Sequence, residues 1–208
     1  MSIKFTGKFG KYEVISLRDE LIYAEWHAKH DIDRIFKLTK PLCEDYPKHE
    51  EWFYKKHVAN VLSAYMPDEY RDVLFIHEPT DYIPDSLNVI GAVCLKKAPH
   101  EKKICCLYVD EQWRNKGVGT TLLRCAFTWL GTSKPLITFP EKNLDAMKEF
   151  VRMYDWKLEE TVDDPYGTGQ KELCFNGKLV KDPGPKHKQM TIEQILKPSN
   201  DQNIKSTD

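Results

Sequence analysis

The chain has 208 residues, 41% of them hydrophobic and 30% charged, with a formal net charge of −1. That length suits one domain with a full core rather than two catalytic domains, and the balanced, interspersed charge argues against a broad basic face for nucleic acid. No stretch approaches membrane-spanning length and the opening MSIKFTGKFGKYEV lacks the apolar core of a signal peptide, so the expectation is a cytoplasmic protein with no membrane partner.

Taken in chain order, Lys11 to Leu17 reads as a strand, followed by an apolar-periodic, charged helix from Asp19 to about Leu38 and a turn at Pro41. A second helix is predicted from Pro47 or Lys48 to about Tyr65, with Tyr54, Val58, Val61, Leu62 and Tyr65 as its buried stripe. Asp72 to His77, Asn88 to Leu95 and Ile104 to Val109 then read as closely spaced strands of an antiparallel meander. A helix over Val118 to Trp129, a strand at Pro135 to Phe139 parallel to its predecessor, a helix from about Glu141 to Met153, and strands at Trp156 to Val162 and Glu172 to Phe175 complete the body. Residues 1–180 thus form the predicted domain. From 181 to 208 the chain is polar and reads as a flexible tail, with a capping-box pattern at Thr191 and Gln194 and a short helical island around Ile192 to Leu196.

Five of the six cysteines, Cys94, Cys105, Cys106, Cys125 and Cys174, fall inside apolar runs, and only Cys43 has a loop-like setting. There is no C-x-x-C pair. Cys105 and Cys106, adjacent in a strand, are expected on opposite faces, so neither a metal site nor a disulfide framework is predicted.

The most informative stretch joins the apolar strand Ile104–Val109 to an amphipathic helix through Asp110-Glu111-Gln112-Trp113-Arg114-Asn115-Lys116-Gly117-Val118-Gly119. Such a loop delivers the unpaired N–H groups and positive dipole end of a helix to an anion, and Gly117 and Gly119 let the anion touch backbone. A dinucleotide fingerprint would need glycine where Leu122 stands, and a P-loop would need Gly-Lys-Ser/Thr after a longer gap.

What remains, Arg114-Asn115-Lys116-Gly117-Val118-Gly119, resembles the Arg/Gln-x-x-Gly-x-Gly/Ala signature of the GNAT superfamily of N-acetyltransferases, and the order of elements across residues 1–180 agrees with that resemblance. It implies an α/β (α+β) fold: a mixed, mostly antiparallel sheet flanked by helices, with two splayed parallel strands at a cofactor cleft. It also implies acetyl-CoA as acetyl donor and a primary amine, on a small molecule or a protein, as acceptor. A noncatalytic acyl-CoA-binding sensor is the alternative, no metal is required, and a homodimer is compatible with the resemblance.

Carried over residue by residue, the resemblance assigns backbone groups of Leu107, Tyr108 and Val109 to the pantetheine arm, with the Val109 N–H on the thioester carbonyl. Arg114, Asn115, Lys116, Gly117, Val118, Gly119 and Thr120 would hold the pyrophosphate. Asn143, in Asn143-Leu144-Asp145-Ala146, matches the family's N-x-x-A element and would contact the cofactor. The tyrosine that often protonates the thiolate is replaced by Phe150, which leaves Tyr154, one turn later, as candidate acid. Some members place a glutamate near the start of the strand before the loop; Lys103 stands there, so His77 and Glu78 are the candidate bases. The acidic, aromatic segments Cys43–Trp52 and Asp163–Gly167 would receive a cationic acceptor, with Asp163 and Asp164 supplying charge. A bulky residue at Gly119 is expected to weaken acetyl-CoA binding by obstructing backbone approach, whereas Gly91→Ala is expected to matter much less to that binding.

Overall fold

The computed structural model describes residues 7–23, 25–62, 70–79 and 88–179. The tail and its expected island at Ile192 to Leu196 lie outside the described residues, as does the expected end of the second helix.

The strands are β1 (Gly7–Phe9), β2 (Tyr12–Ser16), β3 (Tyr70–His77), β4 (Val89–Ala98), β5 (Glu101–Val109), β6 (Leu136–Pro140), β7 (Leu158–Asp163) and β8 (Lys171–Phe175). They form one sheet in the order β1-β2-β3-β4-β5-β6-β8-β7. Every neighbouring pair is antiparallel except β5–β6. This is the mixed, mostly antiparallel architecture expected, with the short hairpin strand β1 added at one edge.

The helical region expected from Asp19 to Leu38 consists of α1 (Leu17–Tyr23) and α2 (Glu25–Thr39). Strand passes directly into helix because the Ser16 hydroxyl accepts the Asp19 N–H at 3.1 Å and so caps α1, while donating to buried Asp72 at 2.7 Å. The next helical stretch comprises α3 (His49–Glu51), a π-helix at Trp52–Val58, and α4 (Ala59–Leu62). A π-helix closes its bonds one residue later than an α-helix. The inward face therefore shifts: His49, Phe53, His57, Val58 and Val61 are buried, and Tyr54 instead turns its hydroxyl to Asp33.

Two cores sandwich the sheet. On one face α5 (Val118–Leu130) and α6 (Leu144–Met153) cover Ile90, Val93, Leu95, Ile104, Ile137, Phe139, Leu173 and Phe175. On the other face α1, α2 and the helices that follow cover Val73, Phe75, Ala92, Cys94 and Cys106.

The β4–β5 register passes from Leu95↔Ile104 to Cys94↔Cys106, leaving Cys105 as an extra, bulged residue. The expectation that Cys105 and Cys106 face opposite ways is thereby corrected, since both pack against the α2 side. The same bulge puts Ile104, Leu107 and Val109 together on the α5 side. Among the described residues, all six cysteines are free, no group of three or more His, Cys, Asp or Glu is arranged to hold a metal, and no helix is long and apolar enough to cross a membrane.

Gly91 carries a packing constraint of its own, separate from cofactor binding. A Cβ there would lie 2.6 Å from Val118 Cγ1 and 3.0 Å from Leu122 Cδ1, both fully buried side chains of α5. Only glycine lets α5 lie this close to β4. Gly91→Ala is expected to lower unfolding free energy by about 1–3 kcal/mol, the usual cost of overpacking. An unchanged denaturation midpoint would show that α5 can shift freely.

The buried imidazoles make stability depend on pH. His57 accepts from Arg71 at Nδ1, because a guanidinium only donates, and so donates from Nε2 to the Asp72 carbonyl, each contact being 3.1 Å. Burial, reinforced by the Arg71 charge, lowers its pKa to about 3, and burial lowers that of His49 to about 4. Both rings are neutral when folded and protonate near the ordinary value of 6.5 when unfolded. Their contribution is therefore complete above that value and drains away as pH falls from 6.5 toward 4. Denaturant melts across this interval should show stability declining, and a flat profile would contradict the burial of both rings.

Candidate functional site

β5 and β6 pair at only two positions, Lys103↔Leu136 and Ile104↔Ile137, and then separate. The separation begins at the bulged Cys105, since an extra residue bends the strand that carries it. Beyond it, β6 continues alongside β8 while β5 stays with β4. A gap consequently opens between Leu107–Val109 and Thr138–Pro140. Asp110 donates its N–H to the Ile90 carbonyl at 2.9 Å. By the alternation of an antiparallel ladder, Val109 and Leu107 then turn their N–H and C=O groups away from β4, toward the gap. Arg114 Nε donating to the Val109 carbonyl at 3.3 Å agrees with that orientation.

At the wide end of the gap the loop enters α5. Asp110 accepts the Gln112 N–H, Asn115 and Gly117 adopt φ values of 60° and 89°, and Gly117 is the residue before the first turn of α5. A glycine has no side chain with which to cap the helix, so the first N–H groups of α5 have no side-chain cap. No described atom lies within 4 Å of where a Gly117 Cβ would stand. Tyr12 fixes the loop from the neighbouring hairpin by donating to the Lys116 carbonyl at 2.9 Å. The two cationic side chains lie along their own loop: Arg114 reaches Glu111 and the Tyr108 ring, and Lys116 lies over Trp113.

α6 forms the outer wall. Asn143 precedes its first turn without capping it, and its amide donates to Asp45, which also pairs with Lys142. Phe150 sits against the start of α5, its ring 3.5 Å from where a Gly119 Cβ would stand, and Val109 lies 3.6 Å from that same point. Tyr154 packs one turn deeper, edge-on to Phe127 and stacked on Trp156. Its hydroxyl is buried and has no hydrogen-bond partner among the described residues. After it, Asp155 takes a φ of 49° and holds Lys134 and Lys157.

The sheet face beneath α2 presents a group that sequence reasoning missed. Glu172 of β8, 2% exposed, lies beside Pro140 of β6. It accepts from the Tyr46 hydroxyl at 3.0 Å. The Thr138 hydroxyl also interacts with it. Among the described residues it has no ion-pair partner. Burial pushes its carboxyl above the ordinary carboxylate range, against the opposing pull of Thr138, Tyr46 and the Lys103 charge. Tyr166, itself pushed up to about 12 by burial and then by the Glu172 charge, stands edge-on to Tyr46 with centroids 5.1 Å apart. The one signal in the sequence was an acid set immediately before the apolar run Leu173-Cys174-Phe175.

The two segments expected to receive an acceptor therefore do meet, through Tyr46 and Tyr166. Asp164 accepts the N–H groups of Thr168 and Gly169, Asp163 lies exposed opposite Lys171, and Asp45 is paired with Lys142. Of the candidate bases, His77 contacts Asp31 at 2.9 Å, and Glu78 donates its backbone N–H to Asn88. Asp31 also binds Arg34; burial raises its carboxyl, but His77 and Arg34 together bring it below the ordinary range. Neighbouring Glu20 is raised to about 8 by burial and then by the Asp31 charge. Both base candidates stand at the end of β3, with β4 between them and β5.

The sequence matches the model of the Acetyltransferase (GNAT) family over residues 32–154, more than half of the chain. A search of curated proteins gives no match. Among solved structures, an IAA acetyltransferase from Bacillus cereus ATCC 14579 is 15% identical, with 65% of this chain and 89% of that one covered and a TM-score of 0.48. A Bacillus anthracis str. Ames protein assigned as a streptothricin acetyltransferase, in complex with acetyl coenzyme A, is 18% identical, with 53% and 62% covered and a TM-score of 0.42. Ard1 from Thermoplasma volcanium is 20% identical, with 42% and 62% covered and a TM-score of 0.38. The chain spans a little under two thirds of the first structures it matches, at 66%, 64% and 62% of their lengths.

Proposed function

The chain belongs to the acetyltransferase (GNAT) family, and we propose that it transfers the acetyl group of acetyl-CoA directly to a primary amine. The observation that carries this reading is the gap between β5 and β6, which leads from outward-turned backbone groups of Leu107 and Val109 to the uncapped start of α5. An extended amide-bearing arm would pair with those strand groups, and a pyrophosphate would meet the N–H groups of Val118, Gly119 and Thr120. Arg114 and Lys116, held on the loop by soft contacts, add positive charge beside it. Asn143 borders the same cleft and is available to the cofactor once released from Asp45.

Chemically, an N–H aimed at the thioester carbonyl polarises it and stabilises the oxyanion formed on attack. In this reading Val109 supplies that N–H. Thiolate departure is assisted by a proton from Tyr154, whose buried hydroxyl has no partner among the described residues to compete for it. Phe150, packed on Gly119 and Val109, keeps water from the wall of the gap.

The direct test is acceptor-dependent CoA release from acetyl-CoA across a panel of amines, together with calorimetric CoA binding. Gly119→Trp should weaken CoA binding by about tenfold or more, about 1.4 kcal/mol, because the added ring fills the space that backbone approach requires. Equal affinity in two folded proteins would sink the loop assignment. Tyr154→Phe should reduce kcat by about a hundredfold with little change in the KM for acetyl-CoA, as expected for a proton delivered only as the thiolate leaves. It should leave the melting temperature unchanged or raised, since it removes a buried hydroxyl with no partner among the described residues. A fall in kcat below about threefold would return Tyr154 to a packing role.

A further inference from the structure

We propose that Glu172 is the base of this reaction, receiving the acceptor's primary ammonium between Tyr46 and Tyr166 and removing its proton. The inference rests on the acetyl-transfer reading above and names the residue and acceptor chemistry that the reading leaves open.

Three observations carry it. First, Glu172 is a carboxylate at 2% exposure with no ion-pair partner among the described residues, an arrangement that is costly unless a cation completes it. A carboxylate accepts at about four lone-pair positions, and the hydroxyls of Tyr46 and Thr138 leave some of them open. Second, Glu172 stands one strand from the gap, on β8 beside the end of β6 that lines it. It pairs with Pro140, two residues along β6 from Thr138, whose hydroxyl reaches both Glu172 and Tyr166, and the Lys103 charge acts on it as well. Third, Tyr46 and Tyr166 stand over it as an edge-to-face pair, and the Tyr166 ring is 43% exposed, so displacing that one ring opens a way in from solvent. Aromatic faces flanking a carboxylate suit an ammonium carried on a slim apolar neck. A carboxylate next to the amine would be repelled.

The transfer balances as follows. Glu172 takes one proton from the ammonium, leaving a neutral amine whose lone pair forms the C–N bond to the thioester carbon. The C–S bond breaks with its electron pair on sulfur. The second nitrogen proton is lost as the amide forms, and the thiolate leaves as the thiol after taking one proton. Glu172 returns its own proton to solvent, so one proton is released per turnover. The charged and titratable groups facing Glu172 are Lys103 of β5, Asp45 and Tyr46 of the segment before α3, Tyr166 of the β7–β8 loop, and Cys174 of β8, while Cys105 of β5 faces Tyr166. Of these, Tyr46 and Lys103 favour the ionised form, against the burial that raises the group.

The test uses the full chain with acetyl-CoA and three acceptors: spermidine, 4-phenylbutylamine and glycine. Wild type should favour the first two over glycine, and kcat/KM should fall as pH drops through an inflection above the ordinary carboxylate range. Glu172→Gln should bind acetyl-CoA as wild type does, yet lose about a hundredfold or more in kcat/KM at pH 7, with residual rate climbing as pH rises toward the amine's own pKa. Tyr46→Phe removes a hydrogen bond to the carboxylate, so its inflection should move to higher pH; this decides the matter should Glu172→Gln not fold. A folded Glu172→Gln protein within threefold of wild type, or an unmoved inflection in Tyr46→Phe, overturns the base assignment and leaves acetyl transfer standing. Wild type that binds acetyl-CoA but releases no CoA with any amine overturns both.

Discussion

The site depends on one extra residue. Cys105 enters β5 without a partner on β4, and β5 keeps its pairing to β6 for only two positions before it. A regular strand would continue the parallel ladder and bury the backbone groups of Leu107 and Val109 in hydrogen bonds to β6. The bulge bends β5 instead and rephases its side chains, so that Leu107 and Val109 join the core under α5 while Cys105 and Cys106 both face α2. Open backbone on one edge and a sealed core on either side are thus consequences of a single insertion.

Holding that opening in register with the anion-binding end of α5 requires close packing. Val118, the first residue of α5, is fully buried over Gly91 of β4, and Gly91 is itself the partner of Val109 across the ladder. Helix start and strand end are therefore tied to the same backbone atom. Gly117 and Asn115 complete the connection with positive φ, which turns the chain sharply enough for the helix to begin at once. Tyr12 then ties the loop to the β1–β2 hairpin across 104 positions of sequence.

Much of this was legible beforehand because it is written in local pattern. The glycine loop, the amphipathic α5 and the crossover to β6 all follow from periodicities of a few residues, and each was located to within a residue or two. What escaped depends on tertiary fit. Adjacent cysteines in a strand read as alternating until a bulge, which leaves no mark in composition, puts them on one face. Gly91 reads as an ordinary strand glycine until the approach of Val118 is known. The stripe containing Tyr54 followed α-helical spacing, and a π-helix over Trp52–Val58 moved the inward face to Phe53 and His57. Glu172 was hidden for the same reason. A lone acid near a strand end usually faces water, and only the sheet order reveals that β8, lying inside β7, carries it into the body of the protein.

That placement also gives a physical reading of Lys103. Lys103, near the start of β5, supplies a cation whose charge acts on Glu172 from across β6. An acid on both sides would raise both carboxyls through mutual repulsion and leave one of them protonated near neutrality. With Lys103 opposite, the buried acid is instead drawn toward its ionised form, offsetting part of the desolvation that burial in β8 imposes. The pair stays apart rather than collapsing into a salt bridge, and that separation matters: a carboxylate locked to lysine would have no open position for an incoming ammonium. Burial sharpens the demand for a cation, Lys103 keeps the group ionisable, and the distance between them leaves the cation to be supplied from outside.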